Sequence, residues 1–117
     1  MPTTLQLAGV EVPKHVEFQN LLPLLKDGSE EVSGTVYGAY TQTQRMLTSG
    51  NDKLVLYPQT GVSLLFDVAA DPLEMKDLSK EDGAVARKKA LFREFLQQQK
   101  VVADPLDVKA AFPDLAG

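Results

Sequence analysis

The chain has 117 residues, of which 44% are hydrophobic and 24% charged, with a net charge of −4, no cysteine and one histidine. That length and apolar content suit one domain with one modest core and exclude a disordered chain. Nucleic acid or an anionic membrane surface requires clustered positive charge, and the acidic balance argues against both; no apolar run approaches the roughly 18 residues that span a bilayer. Without cysteine there is no disulfide framework, thiolate metal site or cysteine nucleophile. His15 has no second histidine to form a metal pair, and it argues against a Ser-His triad. The N-terminal Met-Pro-Thr-Thr-Leu-Gln lacks the basic start and apolar stretch of a signal peptide, so a soluble chain without one is expected. The compartment stays open, because cysteine usage, the usual redox clue, is missing.

In chain order, residues 2–9 read as the last turns of a helix, with Pro2 suited to a first-turn position and Gly9 placed to end it. Residues 10–19 read as an irregular connection. Asn20 can cap a second short helix, Leu21-Leu22-Pro23-Leu24-Leu25, ended by Gly28. A segment that short is not stable alone, so its leucines must dock on something.

The middle of the chain is β. Val32 to Tyr40 is rich in Val, Thr and Tyr, with Gly34 and Gly38 marking bends or a close backbone approach. Gln44 to Thr48 is a second strand and Lys53 to Tyr57 a third, separated by the turn Ser49-Gly50-Asn51-Asp52. After the turn Pro58-Gln59-Thr60-Gly61, a fourth strand sets Val62, Leu64, Phe66 and Val68 on one face and Ser63 and Asp67 on the other. Short turns force antiparallel neighbours, and a four-stranded meander follows.

The tail is helical. Asp71-Pro72-Leu73-Glu74 carries three helix-start signals: a capping Asp, a first-turn Pro and a capping-box Glu. Ser79 can cap a longer helix over residues 80–100, with Ala84, Val85, Leu91, Phe92, Phe95, Leu96 and Val102 on one side. Arg87, Lys89, Arg93, Glu94 and Gln97 fall opposite. Ala103-Asp104-Pro105-Leu106-Asp107 echoes Ala70-Asp71-Pro72-Leu73-Glu74 as a reused cap rather than a repeat. The predicted fold is α+β, a four-stranded antiparallel β-sheet packed against a C-terminal α-helix in a two-layer sandwich.

These residues, taken in order, resemble the sulfatase family. Pro2-Thr3-Thr4-Leu5-Gln6-Leu7-Ala8-Gly9-Val10, then Pro13 and Leu21-Leu22-Pro23-Leu24-Leu25, are similar to the "PTLLDLAGV" helix and "GxSLLPLL" segment that lead out of the catalytic domain there. Tyr37-Gly38-Ala39-Tyr40, Gln44-Arg45-Met46 and Asp52-Lys53-Leu54 resemble the strands that follow. Leu65-Phe66-Asp67-Val68 with Asp71-Pro72-Leu73-Glu74 and Asp77-Leu78 resembles the closing "LFDLxxDPxExxNL" signature. Three positions depart: Phe18 for the usual glycine, Ala39 for a frequent glutamate, and Asp77 for a common asparagine.

The resemblance implies a C-terminal subdomain over residues 31–117, preceded by a segment, residues 1–30, that leads out of a catalytic domain missing from this chain. Sulfatases use a formylglycine made within Cys/Ser-x-Pro-x-Arg, a calcium site with paired aspartates, and a Lys-x-His element. None of these occurs here; Lys14-His15 has the wrong spacing. Sulfate-ester hydrolysis needs a nucleophile, a cation for the ester oxygens and a proton donor. The chain alone is therefore expected to be inactive, with no catalytic residues, no metal site and no cofactor. Calcium and formylglycine belong, by the resemblance, to the catalytic domain, and family members are often periplasmic, secreted or lysosomal.

Three residues are candidates for substrate binding: His15 at a pocket border, and Arg45 and Lys53 presenting positive charge to a sulfated substrate. The plainer alternatives are a solvent-exposed loop histidine beside Lys14 and charge on the wet face of a sheet. Asp71 and Glu74 are better explained as helix caps than as metal ligands. The expected partner is a sulfatase catalytic domain or a second copy of the chain. The leucines of residues 21–25 exceed what a small sheet can cover, so a homodimer through that segment or a sheet edge is expected. The alternative function is a stand-alone, self-associating interaction module without enzymatic activity.

Overall fold

The computed structural model describes residues 1–16, 20–26 and 34–117, which form two units, Met1–Gly34 and Thr35–Gly117. In the first unit, α1 spans Pro2–Leu7, with Pro2 in the first turn, where the missing N–H costs nothing. Gly9, at φ +68°, turns the chain out of the helix, a conformation that only glycine adopts without strain. α2 spans Leu22–Lys26, and Asn20 Oδ1 accepts the Leu22 N–H at 3.0 Å at its entry. Leu21 N donates to Thr3 Oγ1 at 2.9 Å, and Asn20 Nδ2 donates to the Gln6 side chain, so polar contacts tie the two short helices together. Phe18, Gly28, Val32 and the expected boundary at residues 30–31 lie outside the described residues.

The second unit is a meander of β1 (Thr35–Tyr40), β2 (Gln44–Ser49), β3 (Asp52–Tyr57) and β4 (Val62–Asp67), ordered β1-β2-β3-β4 and antiparallel throughout. Gly50 at φ +55° and Gly61 at φ +67° make the tight returns that fix this order. A Cβ on Gly38 would stand 2.8 Å from Met46 Cγ, which identifies Gly38 as the close approach expected of it.

One face of the sheet meets α3 (Ala84–Val101). Leu47, Leu54, Leu56 and Leu65, all fully buried, pack with Leu91, Phe92 and Phe95 of the helix. Val108, Phe112 and Leu115, from the return that ends in α4 (Pro113–Ala116), complete the cluster. Phe95 stacks on Tyr37 with ring centroids 5.3 Å apart, and Phe92 meets Phe112 edge-on at 6.1 Å. The architecture is the α+β, two-layer arrangement of four antiparallel strands and a C-terminal helix that the sequence predicts.

Several local expectations are corrected. The alternation along β4 holds, but α3 covers its Ser63, Leu65 and Asp67 side. Leu65 pairs with Leu54 in the helix-facing register, and Phe66 is buried on the opposite face. Asp71-Pro72-Leu73-Glu74 starts no helix, because Asp71 Oδ2 accepts from Lys76 N at 2.8 Å and Glu74 adopts φ +54°. The long helix begins at Ala84 rather than near residue 80: Ser79 gives its hydroxyl to Asp77 instead of capping, and Gly83 sits at φ +81°. On α3 Val85 is exposed, as is Val102 at its C-cap, whereas Gln99 is buried and donates Nε2 to Leu106 O at 2.7 Å. Glu94, placed by periodicity on the wet side, accepts from Thr35 and Ser49 of the sheet.

Phe95→Ala removes a fully buried ring that touches both the sheet and the aromatic stack. A loss of about 3–5 kcal/mol in chemical denaturation is expected; a loss well under 1 kcal/mol would contradict this packing.

Candidate functional site

Arg45, a candidate for anion binding, emerges from β2 on the face that α3 covers, beside Leu56 in the register. It is 4% exposed and not on a wet face. Its Nε and a terminal nitrogen grip the Asp104 carboxylate at 2.5 and 3.0 Å, while its other terminal nitrogen donates to Thr41 O and Gln44 O, both at 2.8 Å. Four of its five N–H donors are thereby committed, and its charge is matched. Asp104 also accepts from the Tyr37 hydroxyl and from Leu106 N at 3.1 Å. Hydrogen bonds from Arg45 above all, then from Tyr37 and Leu106, hold Asp104 well below the usual carboxylate range against the opposing effect of burial. Burial, reinforced by Asp104, pushes the Tyr37 phenol up. A hollow of about 460 Å³ beside the pair is lined by Thr41, Gln42, Pro105 and Leu106. A neutral ion pair at its base gives a sulfate little attraction.

Lys53 lies on β3 with its side chain on the other face, opposite Thr48 and Phe66. Its Nζ meets both Glu74 oxygens, at 2.7 and 2.8 Å. Glu74, at φ +54°, is thus the anchor of the loop after β4. His15 sits in the first unit, exposed, in a turn closed by Val16 N donating to Pro13 O at 3.0 Å. Arg45 and Lys53 project from opposite faces of one sheet and do not converge.

Two residues of the Arg45 cluster escape sequence reasoning. Asp104 looks like a helix cap because Pro105 follows it, and Tyr37 looks like a generic strand aromatic. The available signal is Arg45 itself, since an arginine alternating with Leu47 in one strand must find a carboxylate if that face is covered. Asp77 accepts from Leu65 N at 3.1 Å and from the Ser79 amide and hydroxyl at 2.9 and 2.7 Å. Burial alone would raise this carboxyl, but those hydrogen bonds prevail and lower it. An acceptor-only side chain meets every one of these contacts. Among the described residues no three His, Asp or Glu side chains come together as metal ligands, and no helix is long and apolar enough to cross a membrane.

Comparison with solved structures gives this arrangement a context. BT4656, solved in complex with its substrate D-glucosamine-2-N,6-O-disulfate, superposes over 89% of this chain and 24% of its own, with a TM-score of 0.73 and 23% identity. BT1596, a 2-O GAG sulfatase, superposes over 85% of this chain and 24% of its own, with a TM-score of 0.62 and 26% identity. A candidate sulfatase from Bacteroides thetaiotaomicron VPI-5482 gives the same figures. The fold of this chain is one that the solved sulfatases carry in about a quarter of their length. An uncharacterized protein of Haemophilus influenzae strain Rd is 26% identical over 109 residues, 90% of this chain and 56% of that protein. The chain thus spans about half of that relative and about a quarter of the solved sulfatases. No protein-family model matches it.

Arg45→Ala leaves Asp104 as a buried, partly unpaired charge and is expected to cost about 3–5 kcal/mol in urea denaturation. The Asp104 carboxyl is lower in the folded protein than in the unfolded chain. Its contribution is therefore fully present above the unfolded value of about 3.9 and is lost as pH falls through the folded value. Asp104→Asn should flatten the acid limb of the stability–pH curve below about pH 4, as followed by denaturation at a series of pH values.

Proposed function

We propose that this chain supplies the C-terminal subdomain of a sulfatase-like sulfuric ester hydrolase, covering one side of a catalytic part and helping to shape its pocket rim. The observation that carries this reading is the TM-score of 0.73 over 89% of the chain against only 24% of BT4656, a protein solved with a sulfated sugar substrate. The nucleophile and the calcium belong, on this reading, to the catalytic part. The sequence has no Cys/Ser-x-Pro-x-Arg and no Asp-Asp pair. A divalent cation needs several oxygen ligands together, and the described residues do not provide that set.

The first unit supports a covering role. Leu7 is 66% exposed and Leu25 is 71% exposed, with Leu21 and Leu24 also open. Such apolar positions on and beside two short helices suit contact with a larger surface. His15 keeps an exposed side chain in the same unit and is the better placed of the candidates to reach a substrate there. Arg45 and Lys53 act on this reading as internal ties, since each is already paired with a carboxylate.

The isolated chain should not turn over a nitrophenyl sulfate, and calorimetric titration with calcium should show no tight binding. Turnover above buffer that a single substitution in this chain abolishes would overturn the proposal. Translation of the DNA immediately upstream should reveal an in-frame Cys/Ser-x-Pro-x-Arg; a stop codon with no such motif would count equally against it.

A further inference from the structure

The turn between β1 and β2 and the return after α3 border the hollow of about 460 Å³ at the Arg45–Asp104 pair. That volume lies within the roughly 300–1,000 Å³ of small-molecule sites. Among the described residues three that are not glycine have positive φ, and two of them flank this hollow: Thr41 at +47° and Ala103 at +51°. For a β-branched threonine that backbone is strained, and such strain persists only where the surroundings fix it. Here the Thr41 carbonyl accepts from Arg45 at 2.8 Å, and Thr43 N closes the turn on Tyr40 O at 3.2 Å. The Thr41 hydroxyl is oriented by the Thr43 hydroxyl at 3.1 Å. Arg45 is buried, yet among the described residues one of its N–H groups has no acceptor: the second on the nitrogen that meets Asp104 Oδ1. The Gln42 amide is exposed at the same hollow and has no partner among the described residues.

From this arrangement we infer that the hollow binds a neutral, hydroxyl-rich ring, a pyranose unit of a saccharide. The spare Arg45 N–H is a donor, while the Thr41 hydroxyl and the Gln42 amide can each donate and accept. Sugar hydroxyls also do both, so they can meet all three groups. Pro105 and Leu106 add an apolar wall for the C–H face of the ring. The base of the hollow selects against anions. Arg45 is already neutralised by Asp104, whose carboxylate is itself part of the lining. A sulfate, phosphate or carboxylate would therefore give up its hydration for no net positive charge. The ion pair and the fixed turn hold the Arg45 and Thr41 groups in place before a ligand arrives, which reduces the ordering cost of binding. With three polar groups and one apolar wall, the affinity for a single ring is in the millimolar range. This inference stands independently of the sulfatase-like reading.

The full 117-residue chain, isotopically labelled, tests it by NMR titration with methyl α-D-glucopyranoside. Saturable shifts are expected at the Thr41, Gln42 and Leu106 amides and at the Arg45 side-chain N–H, and inorganic sulfate should neither produce nor reverse them. Gln42→Ala should weaken binding about fivefold or more with melting unchanged, because the side chain is exposed and supports nothing else. Thr41→Gly removes the hydroxyl and places glycine at a φ it adopts freely. It should weaken binding about threefold or more while melting stays the same or rises. That combination separates a ligand contact from a merely structural role. Absence of saturable shifts at those four positions would overturn the inference, as would unchanged affinity in either variant. Sulfate that saturates the same signals, or displaces the sugar, would equally overturn it, because the hollow would then recognise charge.

Discussion

The Arg45–Asp104 pair determines how the second unit closes. Arg45 enters the layer between sheet and helix with a full charge, beside a cluster of leucine, phenylalanine, valine and alanine. A charge there is tolerated only when paired and fully hydrogen-bonded. Asp104 meets the requirement just after α3 ends, so the chain must turn back over the sheet at that point. Ala103 at φ +51° makes the turn, and Leu106 N closes it onto Asp104. Tyr37 joins β1 to the same carboxylate, so the edge strand, its neighbour and the end of the helix share one acceptor. Everything after residue 104, including buried Val108, Phe112 and Leu115, depends on that return.

The same economy recurs at the other end of the helix. Asp52 of β3 holds Arg87, and Ser63 of β4 receives Lys88 at 3.3 Å. Together with Glu94 on Thr35 and Ser49, these contacts line the rim of the apolar layer with matched polar groups. The rim pairs are partly exposed and individually weak. Their effect is on register, because each works for one rotation of the helix over the sheet. The helix-facing core supplies the burial energy and the rim selects its orientation.

For function, the physical message concerns positive charge. A subdomain with the fold found in sulfatases invites the assignment of its cations to anionic ligands. Here Arg45 is neutralised within the core and Lys53 secures a loop through Glu74. Both are cations whose partners lie far away in sequence, 59 and 21 residues respectively. Exposure separates them from His15, whose side chain remains open in the first unit.

The four strands, their turns and the aromatic stripe of α3 were legible from the sequence, because alternation, glycine turns and helical periodicity are local properties. Gly50 and Gly61 announce their returns, and Leu91, Phe92 and Phe95 announce a buried face whatever it meets. Which face of the sheet they meet was not legible. β3 buries Leu54, Val55 and Leu56 in succession, so both of its faces look apolar and alternation cannot rank them. The roles of Asp71, Ser79 and Asp104 were equally beyond the sequence. Each carries a capping signal, but a cap is decided by which hydrogen-bond partner lies nearest. Lys76 N, Asp77 and Arg45 reached them first. Tertiary structure settled these points because a side chain's partner is set by distance in space, whereas its propensity is set by its neighbours in the chain.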